Sequence, residues 1–164
     1  MKLIIMSDSH GDKGTVKVVS ALSADAHFHC GDSELSFNDP SFGSMHKVQG
    51  NCDFDPDFPS EVIVSVGEKT ILMVHGHNHD VRSSLMGLYY AAKEKKADIV
   101  LFGHSHLYGA EMKDGILFVN PGSTRLPRGG KAATYAMIEW DDSVQVTFKD
   151  MAHNVIDSVI LTTT

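Results

Sequence analysis

The stretch MKLIIMSDSHGD, residues 1–12, joins a run of apolar residues directly to a group of small and polar ones. The apolar run is typical of a strand that is buried on both faces, so residues 2–7 are predicted to form a central β-strand. The strand ends at Asp8 and His10, a carboxylate and an imidazole two residues apart. This placement suggests a binding site, because open α/β sheets bind ligands beyond the carboxyl ends of their strands.

The rest of the chain first alternates strands with helices and then changes to hairpins. The alternation favours a mostly parallel sheet, and the pairs Gly67-Glu68 and Asp114-Gly115 are hairpin signals. We therefore predict a single α/β domain, residues 1–164, in which two sheets pack face to face with helices outside. The predicted elements are strands at 2–7, 26–30, 46–49 and 97–103, helices at 14–23 and 81–96, a short helix or turn at 33–38, and hairpins within 61–76, 111–119 and 133–151.

Five of these apolar segments end in side chains that bind metals, placed beside glycine. Glycine allows the backbone to turn away sharply, so side chains from five segments can converge. Converging carboxylates repel one another unless a cation lies between them. A mixture of Asp, Asn and His suits Mn, Fe, Co, Ni or Zn better than calcium or magnesium. The five blocks are Asp8-Ser9-His10, Gly31-Asp32, Gly50-Asn51-Cys52-Asp53, His75-Gly76-His77 and Gly103-His104-Ser105-His106.

Composition and charge exclude several other classes of protein. The formal net charge is -7 and the longest basic run is KEKK at 93–96, which disfavours nucleic acid as the main partner. No stretch approaches the ~18 apolar residues of a membrane span, and the N-terminus is a poor signal peptide, so we expect a cytoplasmic protein without a membrane partner. Two cysteines are too few for a disulfide framework or a four-cysteine zinc site.

In this order, the motifs DSH, GD, GNCD, HGH and GHSH resemble those of the calcineurin-like metallophosphoesterases. With NPGSTRLPR at 120–128, the chain is similar to their compact bacterial and archaeal phosphodiesterase branch. The resemblance implies a four-layer αββα sandwich of two mixed sheets and two divalent metals about 3.5–4 Å apart, with manganese as the first candidate. It also implies that a hydroxide bridging the metals attacks phosphorus in line. The implied ligands are Asp8, His10 and His106 for one metal, Asn51, His75 and His104 for the other, and Asp32 between them.

The third block departs from the family at Cys52. Many members carry a histidine there, which can protonate the leaving group, whereas a thiol with a reference pKa of about 8.5 is an uncommon proton donor. We expect leaving-group protonation to be weak or to come from His77 or solvent. Esters with acidic leaving groups, such as aryl phosphodiesters, should then be the better substrates. Arg125 suits a phosphate, although its loop can equally be structural.

Structural roles remain open for several of these residues. Asp8 could cap the first helix and Asp32 the segment 33–38. Asp12 is either an outer partner of His10 or exposed. The second-strand histidines, His27 and His29, are candidates for buried, hydrogen-bonded core residues.

The resemblance also leaves rival functions open. The first expectation is a phosphodiesterase acting on a small phosphate ester. The alternatives are a phosphomonoesterase, a nuclease, or a non-catalytic binding subunit of the kind that this fold provides in retromer coats. An exposed strand edge could pair into a homodimer, but nothing in the sequence selects it.

Overall fold

The computed structural model describes residues 1–162, and two β-sheets stacked face to face form their centre. The first sheet has the strand order β11-β10-β9-β1-β2-β3 and the second has the order β4-β5-β6-β8-β7. The elements are β1 (Lys2–Met6), α1 (Lys13–Ser20), β2 (Ala26–His29), β3 (His46–Lys47), β4 (Glu61–Val66), β5 (Lys69–Val74), α2 (Met86–Lys95), β6 (Ile99–Leu101), β7 (Gly109–Lys113), β8 (Ile116–Asn120), β9 (Thr134–Trp140), β10 (Val144–Asp150) and β11 (Val155–Leu161).

The predicted four-layer arrangement is confirmed by the three apolar clusters. Because side chains alternate along a strand, β1 sends Leu3 and Ile5 into the core between the sheets and Ile4 and Met6 to the outer face. Helix α1 covers that outer face. Helix α2 covers the outer face of the second sheet. The helix residues that make these contacts are Val16 and Val19 of α1 and Leu88 and Ala92 of α2.

The helix boundaries differ from the predicted ones. The N-cap of α1 is Asp12, whose side chain accepts hydrogen bonds from the backbone N–H and the hydroxyl of Thr15 at 3.2 and 2.7 Å. Asp12 is therefore neither exposed nor a partner of His10, and Asp8 caps no helix. The segment 33–38 is irregular, so Asp32 caps no helix there. Helix α2 begins at Met86 instead of 81, because the preceding residues form a short 3₁₀ segment and turns.

The three predicted hairpins are confirmed, and the C-terminal strand was not predicted. Strands β4 and β5, β7 and β8, and β9 and β10 pair antiparallel about their turns. Strand β11 lies beyond the last predicted segment and pairs antiparallel with β10 at the edge of the first sheet. No helix within residues 1–162 is long and apolar enough to cross a membrane.

Parallel pairing in each sheet determines where the functional side chains lie. Strand β1 pairs in parallel with β2, which pairs in parallel with β3, and β5, β6 and β8 form a parallel set in the second sheet. Their carboxyl ends meet at one rim of the sandwich, where the loops of the two sheets touch. Backbone hydrogen bonds join neighbouring loops within each sheet, from Asp8 N–H to the Gly31 carbonyl at 3.0 Å and from Gly103 N–H to the His75 carbonyl at 2.9 Å, and Thr124 N–H donates across the sheets to the Ser7 carbonyl at 3.3 Å.

Candidate metal centre

The loops at this rim hold their functional side chains on strained backbone. Non-glycine residues rarely adopt positive φ, because Cβ then crowds the backbone. Strain of this kind collects at functional sites, where the surrounding structure enforces it. Five of the seven residues implied as metal ligands have positive φ: Asp8 (54°), His10 (42°), Asp32 (59°), His104 (73°) and His106 (60°).

Two glycines leave room for the carboxylates. A Cβ at Gly50 would collide with the carboxylate and backbone nitrogen of Asp32, and a Cβ at Gly103 would collide with Ser7 and the carboxylate of Asp8. Both glycines come from the blocks that the sequence shows at strand ends. Close approach of backbone to carboxylate is therefore part of how the loops pack, and any larger residue at these positions would displace the carboxylates.

A first cluster brings Asp8 and His10, near the N-terminus, together with His106. Oδ1 of Asp8 lies 3.2 Å from Nε2 of His106 and 3.9 Å from Nε2 of His10, and the two imidazole nitrogens are 3.4 Å apart. Asp8 is fully buried, and His106 is 6% exposed. These three donors lie within 4.8 Å of one another, close enough to bind one metal ion.

A second cluster lies beside the first. Nε2 of His75 is 3.2 Å from Oδ2 of Asp32 and 3.1 Å from Oδ1 of Asn51. Nδ1 of His104 is also 3.1 Å from the Asn51 oxygen. Asp32 belongs to this cluster, and its carboxylate also lies within 4.8 Å of the ligand atoms of His10 and Cys52. Asp32 therefore lies between the two clusters.

Hydrogen bonds at the outer ring nitrogens orient three of the four histidines. Nδ1 of His75 donates to the Cys30 carbonyl and Nδ1 of His106 to the Leu126 carbonyl, both at 2.7 Å. Nδ1 of His10 donates to Oε2 of Glu34 at 3.1 Å. A neutral imidazole that donates through Nδ1 has a free lone pair at Nε2, and metal-binding histidines usually have such an outer acceptor.

In this tautomer the Nε2 lone pairs of the histidines face the carboxylate oxygen of Asp8, which is an arrangement that suits a metal ion. Oδ1 of Asp8 is buried and accepts no hydrogen bond of acceptable geometry, although three Nε2 atoms lie within 3.9 Å of it. A buried carboxylate oxygen without a partner is costly. A cation between these donors would satisfy all of them, so the residues present fit a metal at each cluster.

In the absence of metal, the histidines and aspartates of the two clusters shift one another's pKa. Burial alone would lower the pKa of His75, but Asp32 and Asp8 outweigh burial and raise the pKa. Burial would likewise raise the pKa of Asp8 and Asp32, yet the neighbouring histidines lower both. Burial, His75 and Arg82 lower the pKa of His104 to about 4. Metal binding should therefore release protons from this cluster.

Sequence reasoning missed three residues that support the loops. The buried carboxylate of Asp53 accepts backbone N–H groups of Asp32 and Glu34 at 2.8 Å and of Gly50 at 2.7 Å. Glu34 is the outer partner of His10, and Ser7 donates to Oδ2 of Asp8 at 2.7 Å. Asp53 stands in the GNCD block, so its position carried a signal. The sequence around Glu34 gives no sign of its role, because only the left-handed turn at residues 32–34 brings its carboxylate to His10.

The candidates for proton transfer and phosphate binding lie around the clusters. Cys52 is half-buried; its N–H donates to Oδ1 of Asp32 at 2.8 Å, and burial and Asp32 raise the pKa of its thiol. The ring of His77 lies 5.4 Å from that of His75, and burial and His75 lower its pKa. Arg125 is exposed, and its Nη1 donates to the His10 carbonyl at 2.6 Å. The structure thus brings all ten candidate site residues to one rim.

The second-strand histidines have the expected structural roles. The buried ring of His29 contacts the Ser9 hydroxyl at 2.9 Å, and the half-buried ring of His27 contacts the Leu22 carbonyl. Neither ring reaches a cluster. Both therefore stabilise the fold around β2.

Comparison with known proteins places this geometry in a family. Residues 1–143 match the model of the calcineurin-like phosphoesterase superfamily domain. The probable metallophosphoesterase YsnB of Bacillus subtilis is 40% identical over 163 residues, which cover 97% of this chain and 96% of that protein. The phosphodiesterase YfcE of Escherichia coli K12 is 30% identical over 113 residues, which cover 64% of this chain and 58% of that protein.

Solved structures share the same architecture. A crystal structure from Streptococcus pneumoniae, described as a conserved uncharacterized protein and predicted phosphoesterase, has a TM-score of 0.94 and 38% identity, covering 98% of this chain and 96% of that one. The crystal structure of Vps29 from Chaetomium thermophilum has a TM-score of 0.78 at 18% identity, covering 99% of each chain. At that identity the second likeness concerns the fold alone.

Proposed function

The chain belongs to the calcineurin-like phosphoesterase superfamily, and on that premise we propose that it is a two-metal hydrolase of phosphate esters, with phosphodiesters as its main substrates. Asp8, His10 and His106 would hold one ion. Asn51, His75 and His104 would hold the other. Asp32, which lies between the two clusters, would contact both.

One observation carries this proposal. Oδ1 of Asp8 is buried without a hydrogen bond and faces the Nε2 atoms of His10, His75 and His106. In their neutral form, His75 and His106 carry the proton on Nδ1, which donates to a backbone carbonyl, and their Nε2 lone pairs are free. Such a set is stable only around positive charge. When bound, two divalent cations lower the pKa of water and offset the negative charge of the phosphate group.

The chain's own residues supply the positioning. The loops are joined by backbone hydrogen bonds and by Asp53, so the ligand atoms are preorganised before substrate arrives. The exposed guanidinium of Arg125 stands beside His10 and can contact a non-bridging phosphate oxygen. Neither Cys52 nor His77 is a strong proton donor, which supports a preference for diesters with acidic leaving groups.

The decisive experiment compares two aspartates. Protein reconstituted with Mn²⁺ is assayed on bis(p-nitrophenyl) phosphate, and bound metal is measured by elemental analysis. We expect Asp32→Ala to lose metal and to reduce turnover by at least about 100-fold, in line with the loss of a directly coordinating group. The control Asp57→Ala changes an exposed carboxylate of the same loop region and should behave as wild type. Near-normal turnover in Asp32→Ala would refute the proposal.

A binding scaffold is the second candidate, because Vps29 shares the fold. All seven ligand positions here carry residues that can bind metal, which favours catalysis. Wild-type protein that binds Mn²⁺ or other divalent ions yet leaves aryl phosphodiesters intact would favour the scaffold. Manganese is the proposed ion, with nickel, iron, cobalt and zinc as alternatives that the same donors accept.

A further inference from the structure

Phe54 is an exposed aromatic side chain next to the metal centre. It is 89% exposed, whereas six of the other seven phenylalanines are buried. Single apolar side chains are often exposed on protein surfaces, so it is the position of this ring beside the metal centre, more than its exposure, that suggests a role. The ring contributes nothing to the apolar clusters of the fold.

The backbone on both sides of Phe54 is held rigidly. Asp53 is 6% exposed and accepts N–H groups from Asp32 and Gly50. Asp55 accepts the N–H of Phe37 at 2.8 Å. The hydrogen bonds of Asp53 and Asp55 restrain the backbone at Phe54. A ligand that stacks on the ring therefore loses less backbone conformational entropy on binding.

The position of Phe54 relative to the clusters follows from the chain. Cys52 lies two residues earlier, and its Sγ is within 4.8 Å of the ligand atoms of His10 and Asp32. Two residues span at most about 7 Å, so Phe54 stands at the rim of the centre. Arg125 is at the same rim, bound to the His10 carbonyl, with further N–H donors for an anion.

We propose that Phe54 is a stacking platform for a nucleobase, and that the substrates are therefore nucleotide esters. This inference rests on the proposed function and names the substrate class. The phosphate group would lie at the clusters and the base, one sugar away, on the ring of Phe54. Stacking of a base on an aromatic side chain corresponds to a gain in affinity of about 5- to 150-fold.

Binding of two ligands that differ only in the base tests the platform. Adenosine 5′-phosphonate and ribose 5-phosphonate have a P–C bond that the protein cannot hydrolyse, and their affinities for Mn²⁺-loaded protein are measured by calorimetry. We expect wild type to prefer the adenosine ligand at least about 5-fold. Phe54→Ala should reduce this preference to about one without changing the affinity for ribose 5-phosphonate, and Phe54→Trp should retain it.

Ile160→Ala is the matched control, because Ile160 is a 69% exposed apolar residue on the edge strand β11. It should leave the preference unchanged. The platform is refuted if wild type and Phe54→Ala prefer the adenosine ligand equally, or if wild type binds both ligands with the same affinity. The exposed ring would then be better explained as a contact for a partner protein. If that same wild type hydrolyses bis(p-nitrophenyl) phosphate, the proposed function stands alone, and if it neither hydrolyses this ester nor binds either phosphonate, both proposals fail.

Discussion

Protonation of His29 should destabilise the protein below neutral pH. The Gly31 N–H donates to Nδ1 of His29 at 3.1 Å, so Nδ1 is the unprotonated nitrogen and Nε2–H donates to the Ser9 hydroxyl at 2.9 Å. A second proton on Nδ1 would break the first of these bonds inside a fully buried site. Burial accordingly lowers the pKa of His29 to about 4, although Asp53 opposes the effect.

The sign and size of the effect follow from linkage. The unfolded chain, with a histidine pKa of 6.5, takes up a proton that the folded protein resists until about pH 4, so stability is complete above pH 6.5 and is lost as the pH falls towards 4. Each pH unit in this window is worth about 1.4 kcal/mol. At pH 5, which is 1.5 units below 6.5, His29 should have removed about 2 kcal/mol of the free energy of unfolding.

Urea unfolding at pH 7.5 and pH 5, with EDTA present to remove metal, measures this loss. His29→Asn keeps an acceptor for the Gly31 N–H but does not titrate, so its free energy of unfolding should fall by about 2 kcal/mol less than that of wild type between the two pH values. His153→Asn removes an exposed histidine and should follow wild type. Equal losses in wild type and His29→Asn would refute the reasoning.

Four further predictions concern the metal centre and the helix cap. Adding Mn²⁺ to metal-free protein at about 100 times its Kd should raise the melting temperature by about 5–10 °C, since binding adds about 2.7 kcal/mol; an unchanged melting curve would argue against a preformed site. Glu34→Gln should weaken Mn²⁺ binding about 10-fold in calorimetry, because His10 loses its charged acceptor; unchanged affinity would remove Glu34 from the site. Gly103→Ala should displace Asp8 and lower both metal occupancy and stability, whereas Gly115→Ala, in an open turn, should spare occupancy. Asp12→Ala should cost about 1 kcal/mol in urea unfolding by removing the α1 cap while leaving Mn²⁺ affinity intact, and weakened affinity would instead make Asp12 part of the site.

The predictions from sequence failed at three places, for different physical reasons. Helix α2 lost its predicted first turn because residues after His75 form a short 3₁₀ segment and turns at the metal rim. Strand β11 was missed because its apolar residues, such as Val155 and Ile160, are exposed and their pattern gives no clear buried face. The role of Glu34 depended on a turn whose direction local spacing does not reveal, whereas Asp12 caps α1 through Thr15, a local contact that the sequence contains.

By itself, the sequence determined that apolar strands end in Asp, Asn and His beside glycine, because alternation along a strand and the chemistry of metal ligands are both local properties. These patterns predicted an α/β domain with two facing sheets and polar blocks at its strand ends, and the resemblance of the five motifs to a known family added the four-layer fold and the ligand set. Only the tertiary structure decided which nitrogen of each histidine faces the centre and that Oδ1 of Asp8 is left without a hydrogen bond. Those facts depend on backbone carbonyls such as those of Cys30 and Leu126, which the packing of two sheets brings to the same rim.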